Sequence, residues 1–195
     1  MPAMRDHIVE VTCDLLEAQG YRATGLNQII AESGAPKGSL YYYFPGGKEE
    51  LVGEAIARTS GILAQRIRAG IEPVGTPATA FRTFLERVAD HVDASGFRAG
   101  GPLTTVALET VHSSERLNAA CRQAYDVLQD AFAERLRACG YPAAQAAAFA
   151  TTITAAAEGG ILLSRTYHSA EPLRRVAAAV GRLLAETPPP PSGES

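Results

Sequence analysis

The sequence predicts an all-α protein, and three observations support that fold class. Apolar residues recur at intervals of three and four along most of the 195 residues. No window alternates apolar and polar residues with the period of two that is typical of a strand. Breaks rich in glycine and proline, such as 72–77 and 95–102, separate the periodic stretches. We therefore expect about nine helices, with no internal repeat.

Composition limits the classes of protein to consider. A hydrophobic content of 46% and a charged content of 20% are ordinary for a folded domain. The net charge of −3 excludes a generally basic surface but not a local basic patch. Three cysteines without metal-like spacing indicate a reducing, cytoplasmic environment. Residues 138–157 are uncharged but contain Pro142, Gln145 and three threonines, so we interpret them as a buried helix and expect no membrane association.

The first fifty residues predict three helices. The first carries an apolar stripe and ends at Gly20, and Thr24 is placed to cap the second. The segment "ESGAPKG" then breaks the chain, and Pro36 leads into a third, short helix. Two helices joined by a short turn that contains glycine are typical of a helix-turn-helix unit, whose second helix enters the DNA major groove.

An aromatic run at 41–44, "YYYF", lies on this third helix between the chain's two lysines, Lys37 and Lys48. Helical spacing turns Leu40 and Phe44 toward the protein and leaves the tyrosines outward or at the flanks. Outward tyrosines present apolar faces to thymine methyls and sugars, and hydroxyls to phosphates. The alternative is that the tyrosines pack the small core, Tyr43 before the others.

Residues 20–51, "GYRATGLNQIIAESGAPKGSLYYYFPGGKEEL", resemble the DNA-binding signature of the TetR/AcrR family of transcriptional regulators. Together with "AAEGGILLSR" at 156–165, this segment is most similar in sequence to the LmrA/YxaF-type group. The resemblance implies a homodimeric repressor that binds a palindromic operator on double-stranded DNA and is released by a small, largely apolar effector. One departure is Tyr43, which stands where histidine is frequent in the family. The DNA contacts implied by the family pattern are Thr24, Lys37, Gly38, Ser39, Tyr41, Tyr42, Tyr43 and Lys48.

The resemblance and the chain's breaks predict three regions. Residues 1–50 are the helix-turn-helix domain, followed by a linking helix at about 48–70. Residues 71–186 are the ligand-binding and dimerisation domain, with its clearest boundary at "EPVGTP", 72–77. The proline-rich end, 187–195, has nothing to bury and is expected to be disordered.

The second domain is expected to form a dimer and to hold a ligand. Small residues let a partner helix approach closely and larger apolar residues fill the contact, as in a four-helix bundle about a twofold axis. The predicted dimer residues are Gly159, Gly160, Leu162, Leu163, Val176, Val180 and Leu183. The alternative is that these faces pack inside one subunit. Isolated polar groups with apolar walls predict the pocket residues Phe84, Val88, Thr105, Glu109, His112, Tyr125, Leu128, Phe132, Thr151, Thr154 and Glu158.

The sequence does not favour an enzyme. "PGGKEE" lacks the spacing of a phosphate-binding loop, "GFRAGG" is not a dinucleotide fingerprint, and no G-x-S-x-G occurs. The histidines have no paired metal spacing, so we expect no catalytic residue, metal or cofactor. Two alternatives to a ligand-responsive regulator remain: a helical protein-interaction module that does not bind DNA, and a DNA-binding dimer without an effector.

Overall fold

The computed structural model describes residues 2–71 and 75–190, and within these ranges it contains helices and no strand. The all-α prediction is confirmed. The helices of the described chain are α1 (Pro2–Ala23), α2 (Leu26–Ser33), α3 (Lys37–Tyr43), α4 (Gly47–Gly70), α5 (Pro77–Ala94), α6 (Leu103–Thr110), α7 (Glu115–Ala138), α8 (Ala143–Tyr167) and α9 (Glu171–Glu186).

Local chemistry explains several of the helix ends. The Thr76 side chain accepts the Thr79 N–H at 3.2 Å, and Pro77 supplies the first residue of α5. Gly34 ends α2 in the left-handed conformation, with φ 62°, which costs glycine little. His168 ends α8 in the same region, with φ 48°.

The chain divides into two compact units. The first unit joins Met1–Gly61 to Gly101–Tyr125, and the second joins Ile62–Gly100 to Asp126–Ser195. Helices α4 and α7 therefore contribute residues to both units. This division differs from the predicted boundary at 72–77, because α6 and the start of α7 pack with the N-terminal helices.

Each unit has its own apolar core. In the first, Leu40 of α3 and Phe44, the C-cap residue of that helix, are fully buried, as are Ile8, Leu16 and Ile29. In the second, helix α5 packs mainly on α9, and a buried cluster joins them. That cluster consists of Ala89, Val92, Ala170 and Leu173, with Val88, Phe97, Ile161 and Val176 packed against it.

The start of the tail does not conform to the expectation of disorder. The Thr187 hydroxyl donates to the Leu183 carbonyl, and Pro189 lies beside Gly140, where an added Cβ would be 3.4 Å from the proline ring. These contacts place Thr187 and Pro189 against other residues of the second unit. The rest of the predicted disordered tail, 191–195, lies outside the described residues, as does 72–74 of the predicted boundary.

Candidate nucleic-acid interface

Helices α2 and α3 form a compact two-helix unit joined by the turn Gly34–Pro36. Ile29 on α2 and Leu40 on α3 are fully buried. Ala35, in the turn that joins the two helices, is buried as well. The Ala35 N–H donates to the Ser33 hydroxyl at 3.4 Å, which closes the turn locally. Apolar contacts therefore hold α3 in place and leave its other faces to the solvent.

The four residues of the aromatic run, 41–44, differ in how far they are buried. Phe44 is fully buried, whereas the side chains of Tyr41 and Tyr42 are 46% and 78% exposed. Tyr43 is half-buried, and its ring meets Tyr42 edge-on at 5.2 Å between centroids and Phe44 at 6.4 Å. The alternative in which the tyrosines pack the core is therefore wrong for Tyr41 and Tyr42. These two rings form an exposed aromatic surface on the second helix of the unit.

The polar residues at the start of α3 share this surface. Lys37 and Gly38 are exposed, and Ser39 is half-buried. A Cβ added to Gly38 would meet nothing within 4 Å, so the backbone there is open to the approach of another molecule. The surface combines one cation, a small hydroxyl and two aromatic rings, which together suit sugars, phosphates and base edges.

Lys48, at the start of α4, is held by Tyr21 at the end of α1. The Lys48 Nζ donates to the Tyr21 carbonyl at 2.6 Å and lies 3.9 Å from the centroid of the Tyr21 ring. Burial lowers the pKa of the Lys48 ammonium, and the charge of Glu109 acts in the opposite direction. Burial and then the charge of Glu49 raise the pKa of Tyr21. Because an ammonium has three donors, this contact leaves two for other partners.

Thr24 has a different role from the predicted one. It is fully buried, and its hydroxyl donates to the Gly20 carbonyl at 2.7 Å. Gly25 is the N-cap of α2 and makes no side-chain capping bond, so the prediction that Thr24 caps this helix is wrong. A buried, bonded hydroxyl is not available to a phosphate, and we leave Thr24 out of the contact set proposed below.

Carboxylates tie both ends of α6 to α1. At the first end, the Gly101 N–H donates to Glu17 Oε1 at 2.8 Å, and at the second, the Arg22 N–H donates to Glu109 Oε2 at 2.7 Å. Gly20 has φ 78° and ψ −177°, inside α1, and an added Cβ there would be 2.5 Å from Glu109 Oε1. Sequence reasoning missed these attachments, which hold α6 against α1 beside the kink at Gly20.

Four of the predicted pocket residues, Thr105, Glu109, His112 and Tyr125, lie in the first unit. Glu109 binds the α1 backbone, and the Thr105 methyl lies near Gly20. The Tyr125 hydroxyl is 2.9 Å from the Thr104 hydroxyl. His112 is exposed in the turn after α6. The structure accounts for Glu109 and Thr105 by the packing of α6 on α1.

The other seven pocket candidates lie in the second unit. Phe84 and Phe132 are buried with ring centroids 6.0 Å apart at an interplanar angle of 81°, and Leu128 is buried as well. Thr151 is exposed and donates to Gln129 Oε1 at 2.5 Å, so it lies on the outside of the α7–α8 pair. Val88 and Glu158 are half-buried, and Thr154 is buried.

The predicted dimer residues fall into two groups. Leu162 and Leu163 on α8 are 56% and 46% exposed, and Gly159, Val176 and Leu183 are partly buried. Gly160 and Val180 are buried inside one chain, since an added Cβ at Gly160 would be 2.7 Å from the Leu173 side chain. For those two residues, the alternative of packing within the subunit describes the structure.

Sequence reasoning missed Tyr167 on the same helix. Its side chain is 70% exposed and follows Leu163 by one helical turn. That spacing was the signal that could have identified it. Within the described residues, α8 is long and apolar enough to cross a membrane by length and composition alone.

No group of three or more histidine, cysteine, aspartate or glutamate side chains that could hold a metal ion occurs in the part of the chain that the structure describes. The cysteines there are free, and burial raises the pKa of the Cys121 thiol to about 11.

Two helices joined by a tight turn, with exposed aromatic and basic side chains on the second, define a helix-turn-helix DNA-binding protein. Residues 8–55 match the family described as bacterial regulatory proteins, tetR family. Residues 77–179 match the transcriptional regulator LmrA/YxaF-like C-terminal domain. The chain belongs to the TetR family of transcriptional regulators and has an LmrA/YxaF-like C-terminal domain.

Similar proteins agree with this assignment over nearly the whole chain. The HTH-type transcriptional regulator LmrA of Bacillus subtilis is 39% identical over 180 residues, which cover 92% of this chain and 96% of LmrA. The uncharacterized regulator YxaF of the same organism is 38% identical, with 92% and 94% covered. A TetR regulatory protein from Rhodobacter sphaeroides shares the fold, with a TM-score of 0.79 at 23% identity over 91% of this chain and 96% of that one.

This membership establishes the general function. The chain is a DNA-binding transcriptional regulator and not an enzyme. The alternative of a helical interaction module that does not bind DNA is set aside by the two matching domains, which together span most of the sequence.

Proposed function

We propose that this protein is a dimeric repressor that binds a palindromic operator and leaves it when a small, largely apolar effector binds. The observation that supports DNA recognition is the exposed aromatic surface of α3. Tyr42 is 78% exposed, whereas Leu40 on the same short helix and Phe44 at its C-cap are fully buried. Two neighbouring exposed rings, Tyr41 and Tyr42, on the second helix of a helix-turn-helix unit suit contact with base edges and sugars in the major groove.

In the proposed complex, α3 lies in the major groove. Tyr41, Tyr42 and Tyr43 meet base edges and sugars, Lys37 and Lys48 meet phosphates, and Gly38 and Ser39 allow the close approach of the backbone. Tyr43 is the most restricted of the three tyrosines, because its ring already packs against both aromatic neighbours. We therefore assign Tyr42 the leading role in reading the sequence.

The exposed apolar face of α8 supports a dimer. Leu162, Leu163 and Tyr167 lie within two turns and are largely exposed in the single chain. A second copy would cover them about a twofold axis, with Gly159 allowing close approach and Val176 and Leu183 of α9 at the margin. An interface of this kind buries on the order of 800 Å² per partner. It also accounts for an apolar α8 in a cytoplasmic protein without a membrane.

A twofold protein requires a twofold operator, because each α3 reads one half-site. Two such helices in adjacent major grooves meet half-sites separated by about one turn of DNA, roughly 34 Å. A ligand that binds more tightly to a dimer with a different separation of its two α3 helices lowers the affinity for the operator. The decrease is set by the ratio of the ligand's affinities for the two forms of the dimer. Release by an effector distinguishes this proposal from a dimer that binds DNA without one.

The test combines mass and stoichiometry. Sedimentation equilibrium should give twice the chain mass of 20.5 kDa, and titration of a specific duplex should saturate at two chains per operator or a multiple of two. Leu163→Asp should shift the protein to monomers and weaken operator binding, and Ile62→Asp, another exposed apolar position, serves as the matched control. A monomeric wild-type protein that saturates at one chain per duplex would contradict the proposal.

A further inference from the structure

An arginine of α7 lies at the turn between α3 and α4. A Cβ added to Gly46 in that turn would be 2.5 Å from Arg116 Nη1 and 2.9 Å from Glu50 Oε2, so the absence of a side chain at Gly46 makes room for the guanidinium. Gly46 follows Tyr43, the last residue of α3, by three positions and precedes Lys48 by two. Because two residues span at most about 7 Å, the Arg116 guanidinium lies beside the start of α4.

The start of α7 is fixed next to the start of α4 within the first unit. A Cβ added to Gly53 of α4 would be 3.9 Å from the Cβ of Ala120 on α7. This contact and that of Gly46 with Arg116 advance in the same direction along both helices, so their N-terminal ends lie side by side. Leu117, the residue after Arg116, is fully buried. The backbone that carries Arg116 is therefore anchored in the core of the first unit.

The Arg116 guanidinium is exposed and has no carboxylate partner. Among the residues that the structure describes, no ion pair within 4 Å includes this side chain. Its neighbour Glu115 pairs with Arg122 at 2.8 Å instead. The Glu50 carboxylate accepts the Gly46 N–H at 2.5 Å. The N–H donors of Arg116 are therefore available to a partner outside the chain.

An unpaired guanidinium beside a DNA-reading helix suits a phosphate. Arginine is permanently charged, and its planar fork of five N–H donors can bind two phosphate oxygens at once. Lys37 lies at the start of α3 and Lys48 just beyond its end, and Arg116 adds a third cation at that second end. In a chain with a net charge of −3, such a local cluster of cations determines where a polyanion binds.

We propose that Arg116 binds a phosphate of the operator backbone close to the phosphate that Lys48 binds. This inference rests on the proposal that α3 lies in the major groove. The contact extends the DNA-binding surface beyond residues 8–55, which match the tetR family, into the part of the chain that matches the LmrA/YxaF-like C-terminal domain. A phosphate contact carries no base information, so Arg116 raises the affinity for DNA without changing the preferred sequence.

The first test is the salt dependence of DNA binding by the full-length protein. The probe is the duplex that the wild type enriches most from a random pool, and fluorescence anisotropy gives its affinity between 50 and 200 mM salt. Arg116→Met removes one cation per chain, so a dimer should lose about 1.8 from the slope of log affinity against log salt. The ratio of wild-type to variant affinity should then fall about tenfold over this range. Arg122→Met, exposed on the same helix but paired with Glu115, should keep the wild-type slope.

Neutral phosphates locate the contact on the DNA. In a series of duplexes, a methylphosphonate replaces one phosphate of each half-site at successive positions. At one position the replacement should weaken binding of the wild type by about three- to tenfold and leave the affinity of Arg116→Met unchanged. Both proteins should select the same sequence from a random pool, because the lost contact does not read bases.

Urea unfolding separates this role from a purely structural one. Arg116→Met should unfold at the same midpoint as the wild type, because the substitution breaks no ion pair. A lower midpoint combined with the wild-type salt slope would make Arg116 a residue that only supports the α3–α4 turn, and would overturn the inference. Equal slopes at an unchanged midpoint, or no phosphate position that distinguishes the two proteins, would overturn it as well. A wild type that binds no duplex selectively would contradict the proposed function itself.

Discussion

Replacing Gly20 by alanine should destabilise the first unit more than any other glycine-to-alanine change in α1 or α4. Gly20 interrupts α1 with φ 78° and ψ −177°, a conformation that is nearly restricted to glycine. The added methyl carbon would also be 2.5 Å from Glu109 Oε1 and 3.0 Å from the Thr105 methyl. The carboxylate would have to move, and it would then lose the N–H of Arg22.

The two effects set the magnitude. Holding alanine in this region of backbone conformation costs roughly 1–3 kcal/mol. Losing the bond to Glu109, which is exposed to solvent, adds about 1 kcal/mol. The expected loss in the free energy of unfolding is thus roughly 2–4 kcal/mol, a large share of the usual stability of a domain.

Urea unfolding followed by circular dichroism measures this loss, and a double mutant separates its parts. In a Glu109→Ala background, Gly20→Ala should cost less, because the collision with Glu109 and the bond to Arg22 are already absent and only the backbone part and the close approach to the Thr105 methyl remain. Gly61→Ala is the matched control: it lies within α4, nothing would meet its Cβ within 4 Å, and we expect it to be neutral or stabilising by up to about 1 kcal/mol. A loss for Gly20→Ala below about 0.5 kcal/mol would refute the reasoning.

Three further predictions concern binding and assembly. Tyr42→Ala should weaken specific DNA binding by roughly 1–3 kcal/mol without changing the free energy of unfolding, because the ring is 78% exposed. The control Leu108→Ala, at a similarly exposed position on α6, should change neither quantity, and normal DNA affinity in Tyr42→Ala would exclude the role assigned to this ring. Lys48→Met should lower the free energy of unfolding by about 1–2 kcal/mol, because it removes the hydrogen bond and the ring contact to Tyr21. It should also reduce the salt dependence of DNA binding by about one ion, and an unchanged salt dependence would show that Lys48 acts only within the protein. Leu163→Asp should sediment as a folded monomer, and a dimer of wild-type strength would remove α8 from the proposed interface.

Helix positions and the facing of α3 were predictable because they depend on local signals. Pro142 is the N-cap residue of α8, and Pro172 lies in the first turn of α9. The four-residue spacing of Leu40 and Phe44 correctly turned both inward. Such signals act over a few residues, so the sequence alone is sufficient to identify them.

Contacts between distant residues were not predictable. Glu109 bonds to a backbone N–H 87 positions away, and Glu17 to one 84 positions away, and neither bond has a sequence signature. For that reason the sequence suggested Glu109 as a pocket residue and did not indicate that α6 packs on α1. Thr24 was mispredicted for a local reason: its position suits a helix cap, but its hydroxyl donates to the Gly20 carbonyl at the kink in α1 instead.

The central claim is that two copies of α3, held on one dimer, read a palindromic operator. Selection of bound duplexes from a random DNA pool, with the purified protein at near-physiological salt, tests it most directly. We expect the wild type to enrich a twofold-symmetric sequence, Leu163→Asp to lose the requirement for symmetry, and Tyr42→Ala to enrich the motif more weakly. Enrichment of an asymmetric sequence by the wild type, or equal enrichment of the same motif by all three proteins, would contradict the claim.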